Sequence, residues 1–97
     1  MYARVTTGTC PPAKVGELTK IVRDAILPAS KKQKGFKKLI LLGGRATGKG
    51  MLIVLWNRES EMTVAKSSEW YREHMAKVAS LTTGTGSIEE YEVVLQG

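Results

Sequence analysis

The chain has 97 residues, of which 42% are hydrophobic and 25% charged, the size and composition of one globular domain with a single core. It has no apolar run of the roughly 20 residues that a membrane span needs, and no N-terminal signal-peptide pattern. Its one cysteine excludes an internal disulfide. Together these features predict a cytoplasmic protein without membrane contact. The single histidine disfavours a His/Cys metal site, and the net charge of +6 permits an anionic partner without requiring one.

The N-terminal part of the chain predicts a strand followed by an amphipathic helix. Tyr2–Thr7 is a short β-like segment that Gly8 ends. Apolar residues then recur at the spacing of one buried helical stripe: Val15, Leu18, Val22, Ala25 and Ile26. Pro28 is expected to end or bend this helix, and a lysine-rich connection over residues 30–38 follows it.

The centre of the sequence predicts two neighbouring strands. Two short aliphatic runs, Leu39–Leu42 and Met51–Trp56, flank the glycine-rich connection Gly43–Gly50. In the second run, side chains on both faces of the strand are apolar. A strand of this kind has to be covered on both faces.

The C-terminal part predicts a helix in two sections and a last strand. Ser60 is expected to cap the first section, and Ser67 or Ser68 to start the second. A loop at 82–86 then leads to a strand over Ile88–Leu95. The order is that of a ferredoxin-like α+β fold, βαββαβ, over residues 1–97, with a four-stranded antiparallel sheet. Because two helices cover only one face of such a sheet, we expect a homodimer that packs sheet face on sheet face.

The connection Gly43–Gly50 nearly matches the phosphate-binding loop G-x-x-x-x-G-K-[ST]. Gly50 stands where the motif has the hydroxyl that holds magnesium, and a strand follows where the motif opens a helix. We therefore interpret this segment as a hairpin loop and not as a nucleotide site.

The segment Lys49–Trp56 partly matches the third strand of the RNA-recognition module, K/R-G-F/Y-G/A-F-V-x-F/Y. The two positions whose rings should stack on bases are the aliphatic Met51 and Ile53. Five lysines in the preceding connection suit either RNA or a solvated surface: Lys31, Lys32, Lys34, Lys37 and Lys38. The pattern favours the solvated surface and disfavours nucleic acid, with an RNA-binding module kept as an alternative function.

A further group of polar and aromatic residues suits a ligand pocket between the sheet and the helices. Aromatic residues and a single histidine at this spacing more often have a structural role in the core than a role in binding. An apolar pocket with a few polar groups would nevertheless accept a flat aromatic ligand. His74 would be the candidate catalytic base, because imidazole exchanges protons near neutral pH. The candidate ligand-binding residues are Arg4, Trp56, Asn57, Trp70 and Tyr71.

In the order and spacing of several short motifs, the chain resembles the antibiotic biosynthesis monooxygenase superfamily of dimeric α+β barrel proteins. The motifs are the helix end Ile26–Ala29, Gly35-Phe36 opening a strand, Trp56 ending the next, Met62 in the following helix and Ser68 starting its second section. The resemblance implies a ferredoxin-like fold and a dimer whose sheets meet. It also implies one of the superfamily's activities, which include cofactor-independent oxygenation of aromatic polyketides and quinols, and haem degradation.

The chain departs from the superfamily at positions that carry function in its members. Arg58 and Ala65 stand where many members have a serine and a histidine. The haem-degrading branch has an asparagine on the first strand, which Tyr2–Thr7 lacks, and His74 is one residue from that branch's histidine. The sequence thus predicts a cofactor-independent monooxygenase or a small-molecule-binding protein acting on an aromatic or quinol-like compound, needing no cofactor. A haem-binding or haem-degrading protein is a further alternative.

Overall fold

Four strands and a set of helices make up the fold, which a computed structural model describes for residues 1–44 and 46–97, with Gly84 and Thr85 described by their backbone alone. The elements in chain order are β1 (Tyr2–Thr9), a 3₁₀ turn (Pro12–Lys14), α1 (Val15–Ile21), a π-helical turn (Val22–Ile26), α2 (Leu27–Lys31), β2 (Phe36–Gly43), β3 (Lys49–Trp56), α3 (Glu59–Lys66), α4 (Glu69–Leu81) and β4 (Thr83–Glu92). Within these described residues, no helix is both long and apolar enough to cross a bilayer.

The strands form one antiparallel sheet in the order β2-β3-β1-β4. This is the α+β, ferredoxin-like βαββαβ arrangement that the sequence predicts. On β3, Val54 lies opposite Arg4 of β1 and Leu39 of β2. Because directly opposed residues share a face, this register fixes which side chains of each strand meet the helices.

The core lies on one face of the sheet, under the helices. Alternate residues of β3, namely Leu52, Val54 and Trp56, pack against side chains of the helices in one buried cluster. The other members of the cluster are Val22, Ile26, Met62 and Ala65. The opposite face of β3 carries Met51, Ile53 and Leu55, which stay partly exposed although β3 is an inner strand. The two apolar faces that the sequence predicts are thus distinct: one is covered, and the other is partly open in the single chain.

Pro28 neither ends the first helix nor leaves it regular. The helix continues to Lys31, and the turn before the proline widens so that the Leu27 N–H donates to the carbonyl of Val22, five residues back. A proline in a helix lacks an N–H donor and crowds the carbonyl four residues earlier. The π-helical turn relieves this crowding, and it places Val22 and Ile26 in the core.

Several predicted boundaries are wrong, the first being the end of β1, which runs through Gly8 to Thr9. β4 runs from Thr83 to Glu92, so residues 83–86 are in the sheet, and the predicted strand end at Leu95 lies beyond it with 88% of Leu95 exposed. Pairing of Thr83 with Thr9 of β1, across a register irregularity, brings this polar segment into the sheet and overrides its loop-like composition. α3 begins at Glu59, with Arg58 and not Ser60 at its N-cap.

The glycine-rich connection is a hairpin loop, as predicted, and its Arg45 lies outside the described residues. Gly44 N–H donates to the Lys49 carbonyl at 2.8 Å, closing the hairpin. Gly48 has a φ of +73° and accepts a 2.8 Å hydrogen bond at its carbonyl from the Cys10 N–H. The loop is therefore tied to the chain just beyond the end of β1.

Candidate functional site

A cavity of about 660 Å³ separates the helices from one end of the sheet, where β1 and β2 finish and β3 begins. One side of its roof comes from α1 and the adjoining π-helical turn, through Val15, Leu18 and Val22. The other side comes from α4, through Met75 and Val78. These side chains are apolar, so the cavity is suited to an apolar ligand.

The floor of the cavity is the helix-facing side of the sheet. Leu41 of β2, Leu52 of β3 and Thr6 of β1 lie side by side across it. One step nearer the hairpin loop, the same face carries glycine on all three strands: Gly8, Gly50 and Gly43. The space that the missing side chains leave is part of the cavity.

The polar groups of the cavity are mainly hydroxyls. Thr19 donates its hydroxyl proton to the carbonyl of Val15 at 2.8 Å, and Thr82 donates to the carbonyl of Ala79 at 3.0 Å. Because these protons are engaged, the oxygen of each threonine is left with acceptor capacity toward a ligand O–H. Such acceptors suit a hydroxylated ligand.

Titratable side chains are scarce around this cavity. Cys10 is 4% exposed at its wall, and Lys49 is exposed at its rim. Among the described lining residues there is no carboxylate and no imidazole. Across residues 1–44 and 46–97, no group of three or more His, Cys, Asp and Glu side chains could hold a metal ion. A ligand that has to lose a proton here therefore meets no carboxylate or imidazole base in the described lining.

A second polar cluster joins β1 and β4 to the helices. The Arg4 side chain, 14% exposed, donates from Nε to the Tyr71 hydroxyl at 2.7 Å and from Nη1 to Glu90 at 2.8 Å. Lys66 donates to both oxygens of Glu90, at 3.0 and 3.1 Å. The Lys66 hydrogen bonds, followed by that from Arg4, hold the pKa of Glu90 below its ordinary value despite partial burial.

Trp70 and His74 adjoin this cluster on α4. His74 Nδ1 donates to the carbonyl of Trp70 at 2.6 Å, and the two rings meet edge to face with their centroids 6.2 Å apart. Trp70 makes a similar contact with the Tyr71 ring at 5.8 Å. The predicted residues Arg4, Trp70, Tyr71 and His74 are thus brought together.

The remaining two predicted residues lie elsewhere. Trp56 is 2% exposed in the core, edge to face with Phe36 at a centroid distance of 5.9 Å. It faces the helices and cannot stack on a base, which removes an aromatic from the partial RNA-recognition match. Asn57 is exposed, and its N–H donates to the Gly35 carbonyl at 2.7 Å. None of the six predicted residues is among the described residues of the cavity wall, and their role toward a ligand stays a prediction.

The cavity residues that the sequence interpretation missed are mainly glycines and threonines near strand ends. The sequence predicts Gly8 to end a strand, and Gly43 and Gly50 to lie in a loop. Their alignment depends on strand register, which no single segment of sequence reveals. The available signal was that each of three predicted strands carries a glycine at its end.

The fold recurs in solved structures along almost the whole chain. A Caulobacter crescentus protein assigned as an antibiotic biosynthesis monooxygenase matches with a TM-score of 0.82 at 18% identity, over 97% of this chain and 90% of that one. A Nitrosomonas europaea protein with the same assignment has a TM-score of 0.81 at 14% identity, over 98% of this chain and 100% of that one. A variant of SnoaB, a cofactor-independent oxygenase from Streptomyces nogalater, has a TM-score of 0.81 at 17% identity, over 98% of this chain and 94% of that one.

No protein-family model matches the sequence, and no curated protein does so. At identities below a fifth, the similarity to these solved structures concerns the fold alone. It establishes that the chain has the ferredoxin-like fold of antibiotic biosynthesis monooxygenase structures, some of which are cofactor-independent oxygenases.

Proposed function

We propose that this protein binds an aromatic, quinol-like small molecule in the cavity between the sheet and the helices, and oxygenates it without a cofactor. The observation that carries the proposal is the cavity of about 660 Å³, which falls within the range of small-molecule sites and is walled mainly by apolar side chains. The shared fold of SnoaB, a cofactor-independent oxygenase, supports the reaction class.

The polar groups of the cavity narrow the ligand class. The acceptor oxygens of Thr19 and Thr82 match ligand hydroxyls, whereas the scarcity of charge among the lining residues described disfavours a ligand of high charge. A phenol or quinol supplies both the flat apolar body and the O–H donors. Ionisation of a ring hydroxyl spreads negative charge onto the ring carbons ortho and para to it, so the ligand itself can provide the carbanion that reduces oxygen.

The reaction that this requires is balanced without any further reductant. The keto tautomer of such a ligand has a ring CH₂ group and ionises to the same carbanion. This CH₂ group and one O₂ molecule give a ring carbonyl and one water molecule, and the carbanion supplies the electrons. The protein's part is to bind the ring, exclude water and hold the ionised form away from bulk solvent.

We further propose that the working unit is a homodimer formed through the open sheet face. Met51, Ile53 and Leu55 line the middle of that face and remain partly exposed in the single chain. Leaving large apolar side chains in water forfeits about 1.5–3 kcal/mol each. A second sheet laid on the first would remove this exposure.

The test uses anthrone, whose ring CH₂ is activated by a carbonyl, and follows the formation of anthraquinone by absorbance together with the uptake of oxygen. Val78→Trp places a large side chain in the cavity roof, and Val64→Trp is the matched control because Val64 is 70% exposed on α3. We expect the wild type and Val64→Trp to accelerate the reaction above the buffer rate and Val78→Trp to lose that acceleration. Equal rates for wild type and buffer would reject oxygenation, and binding of anthrone unaffected by Val78→Trp would reject the cavity as the site.

A further inference from the structure

Three glycines lie side by side on the adjacent strands β1, β3 and β2. Gly50 of β3 is opposite Gly8 of β1 on one side and Gly43 of β2 on the other. They share the helix-facing side with Thr6, Leu52 and Leu41, and all of them line the cavity. We call Gly8, Gly50 and Gly43 the glycine row.

The backbone does not require glycine at any position of the row. Positive φ angles occur, among the described glycines, at Gly35 and Gly48, and neither belongs to the row. A glycine inside a strand weakens the strand, because it has no side chain to pack and the unfolded chain gains freedom. Three such residues side by side therefore weaken this end of the sheet.

Packing does not require glycine in the row either. A Cβ atom added at Gly43 would meet nothing within 4 Å. At Gly50 its nearest neighbour would be the Leu42 carbonyl oxygen at 3.5 Å, and at Gly8 the Thr82 Cγ2 at 3.7 Å, both ordinary contacts. At Gly48, by contrast, it would collide with the carbonyl oxygen of Cys10. The fold therefore explains why position 48 is a glycine, but it does not explain why the three positions of the row are glycines.

We infer that the glycine row is the specificity-determining surface of the cavity, a flat strip of bare backbone on which a planar fused-ring ligand lies face down. Three strands spaced about 4.8 Å apart give the strip a width of about 10 Å, which suits two or three fused six-membered rings. The inference rests on the proposed function and refines it: the row selects planar over puckered ring systems.

The contrast with the roof supports this role. Leu18, Val22 and Met75 present branched or flexible chains, which adapt to many shapes. Bare peptide groups form the flat part of the wall, and a planar ring resting on them makes more van der Waals contacts than a puckered ring can. Even one methyl group on this strip would lift the ring from the backbone.

The experiment compares two probes of similar size by isothermal titration: planar 2-naphthol and its saturated, puckered counterpart decahydro-2-naphthol. The variants are Gly50→Ala and Gly50→Leu, with Gly16→Ala and Gly16→Leu as matched controls. Gly16 is exposed on α1, is not a lining residue, and has nothing within 4 Å of an added Cβ. Gly43→Leu repeats the test at the rim if Gly50→Leu does not fold.

We expect the wild type to bind 2-naphthol at least about tenfold more tightly than decahydro-2-naphthol. Gly50→Ala should reduce this preference, and Gly50→Leu should weaken 2-naphthol binding by at least about tenfold. Both variants should melt at the same temperature as the wild type or higher, because glycine is lost from a strand. The Gly16 variants should keep wild-type binding.

Two results would overturn the inference while leaving the proposed function standing. One is equal binding of the two probes by the wild type; the other is wild-type binding of 2-naphthol by folded Gly50→Leu or Gly43→Leu. Failure of the wild type to bind either probe would overturn the proposed function and the inference together.

Discussion

The Nε atom of Arg4 lies 2.7 Å from the hydroxyl of Tyr71, and this hydrogen bond joins β1 to α4 across the helix-facing side of the sheet. The guanidinium also stands 5.3 Å from the centre of the Tyr71 ring and donates to Glu90. Arg4 is thereby held between the sheet and the helix, on the side that also carries the cavity.

Tyr71→Phe should destabilise the protein by about 1–3 kcal/mol, because it removes a hydrogen bond to a largely buried charged group. The measurement is urea unfolding. Tyr91→Phe is the matched control: its hydroxyl bonds to Glu89 on the surface, and Tyr91 is 50% exposed, so we expect a change within about 0.5 kcal/mol. Equal effects of the two variants would show that the Arg4 contact adds nothing to stability.

Stability should fall on acidification partly through Glu90. Lys66 and Arg4 hold its folded-state pKa below the ordinary value of 4.5. A lowered folded-state pKa contributes stability that is complete above about pH 4.5 and is lost as the pH falls through the folded-state pKa. Glu90→Gln should therefore be less stable than the wild type at pH 7, with the difference shrinking toward pH 3. A difference that stays constant over this range, in unfolding measured at each pH, would contradict the assignment.

Gly48→Ala should destabilise the protein by more than about 1 kcal/mol, because Gly48 has a positive φ and an added Cβ would meet the Cys10 carbonyl. Gly16→Ala provides the comparison, since it changes the same atoms on an exposed helix and should be neutral or stabilising. Thermal unfolding measures both. A Gly48→Ala variant as stable as the wild type would mean that the loop does not need its tie to Cys10.

The fold was predictable because the information for it is local. Short aliphatic runs bounded by glycine gave β2 and β3, and the helical stripe ending at Ile26 gave the first helix. The separation of Leu52, Val54 and Trp56 from Met51, Ile53 and Leu55 follows from the alternation of side chains along a strand, and their burial confirms it.

The candidate site was much less predictable, because it depends on how strands align. Gly8 is far in the chain from the hairpin that carries Gly43 and Gly50. The three meet only in one register, and a shift of a single residue would place them on different faces. The sequence predicts a site at Trp70 and His74 instead, because aromatic and polar residues cluster on α4. The start of β4 was missed for the same reason, since pairing with β1 decides it.

Subunit pairing should couple folding to concentration. If the open sheet face forms the interface, the unfolding midpoint should rise with protein concentration. Ile53→Lys should give a monomer in sedimentation equilibrium, because Ile53 is on the open face. Val54→Lys, on the buried face, should instead prevent folding. A wild-type chain that stays a folded monomer at micromolar concentration would contradict the proposed dimer.

Binding of a ligand over the glycine row is tested most directly by ¹⁵N chemical shifts during titration with 2-naphthol. Glycine amides are well separated in such spectra, and ring currents shift nuclei close to a bound aromatic ring. We predict large, saturable shifts at Gly8, Gly43 and Gly50, with little change at Trp70 and His74. Shifts centred on Trp70 and His74, with the glycine row unaffected, would place the ligand at the cluster around Arg4 and contradict binding over the glycine row.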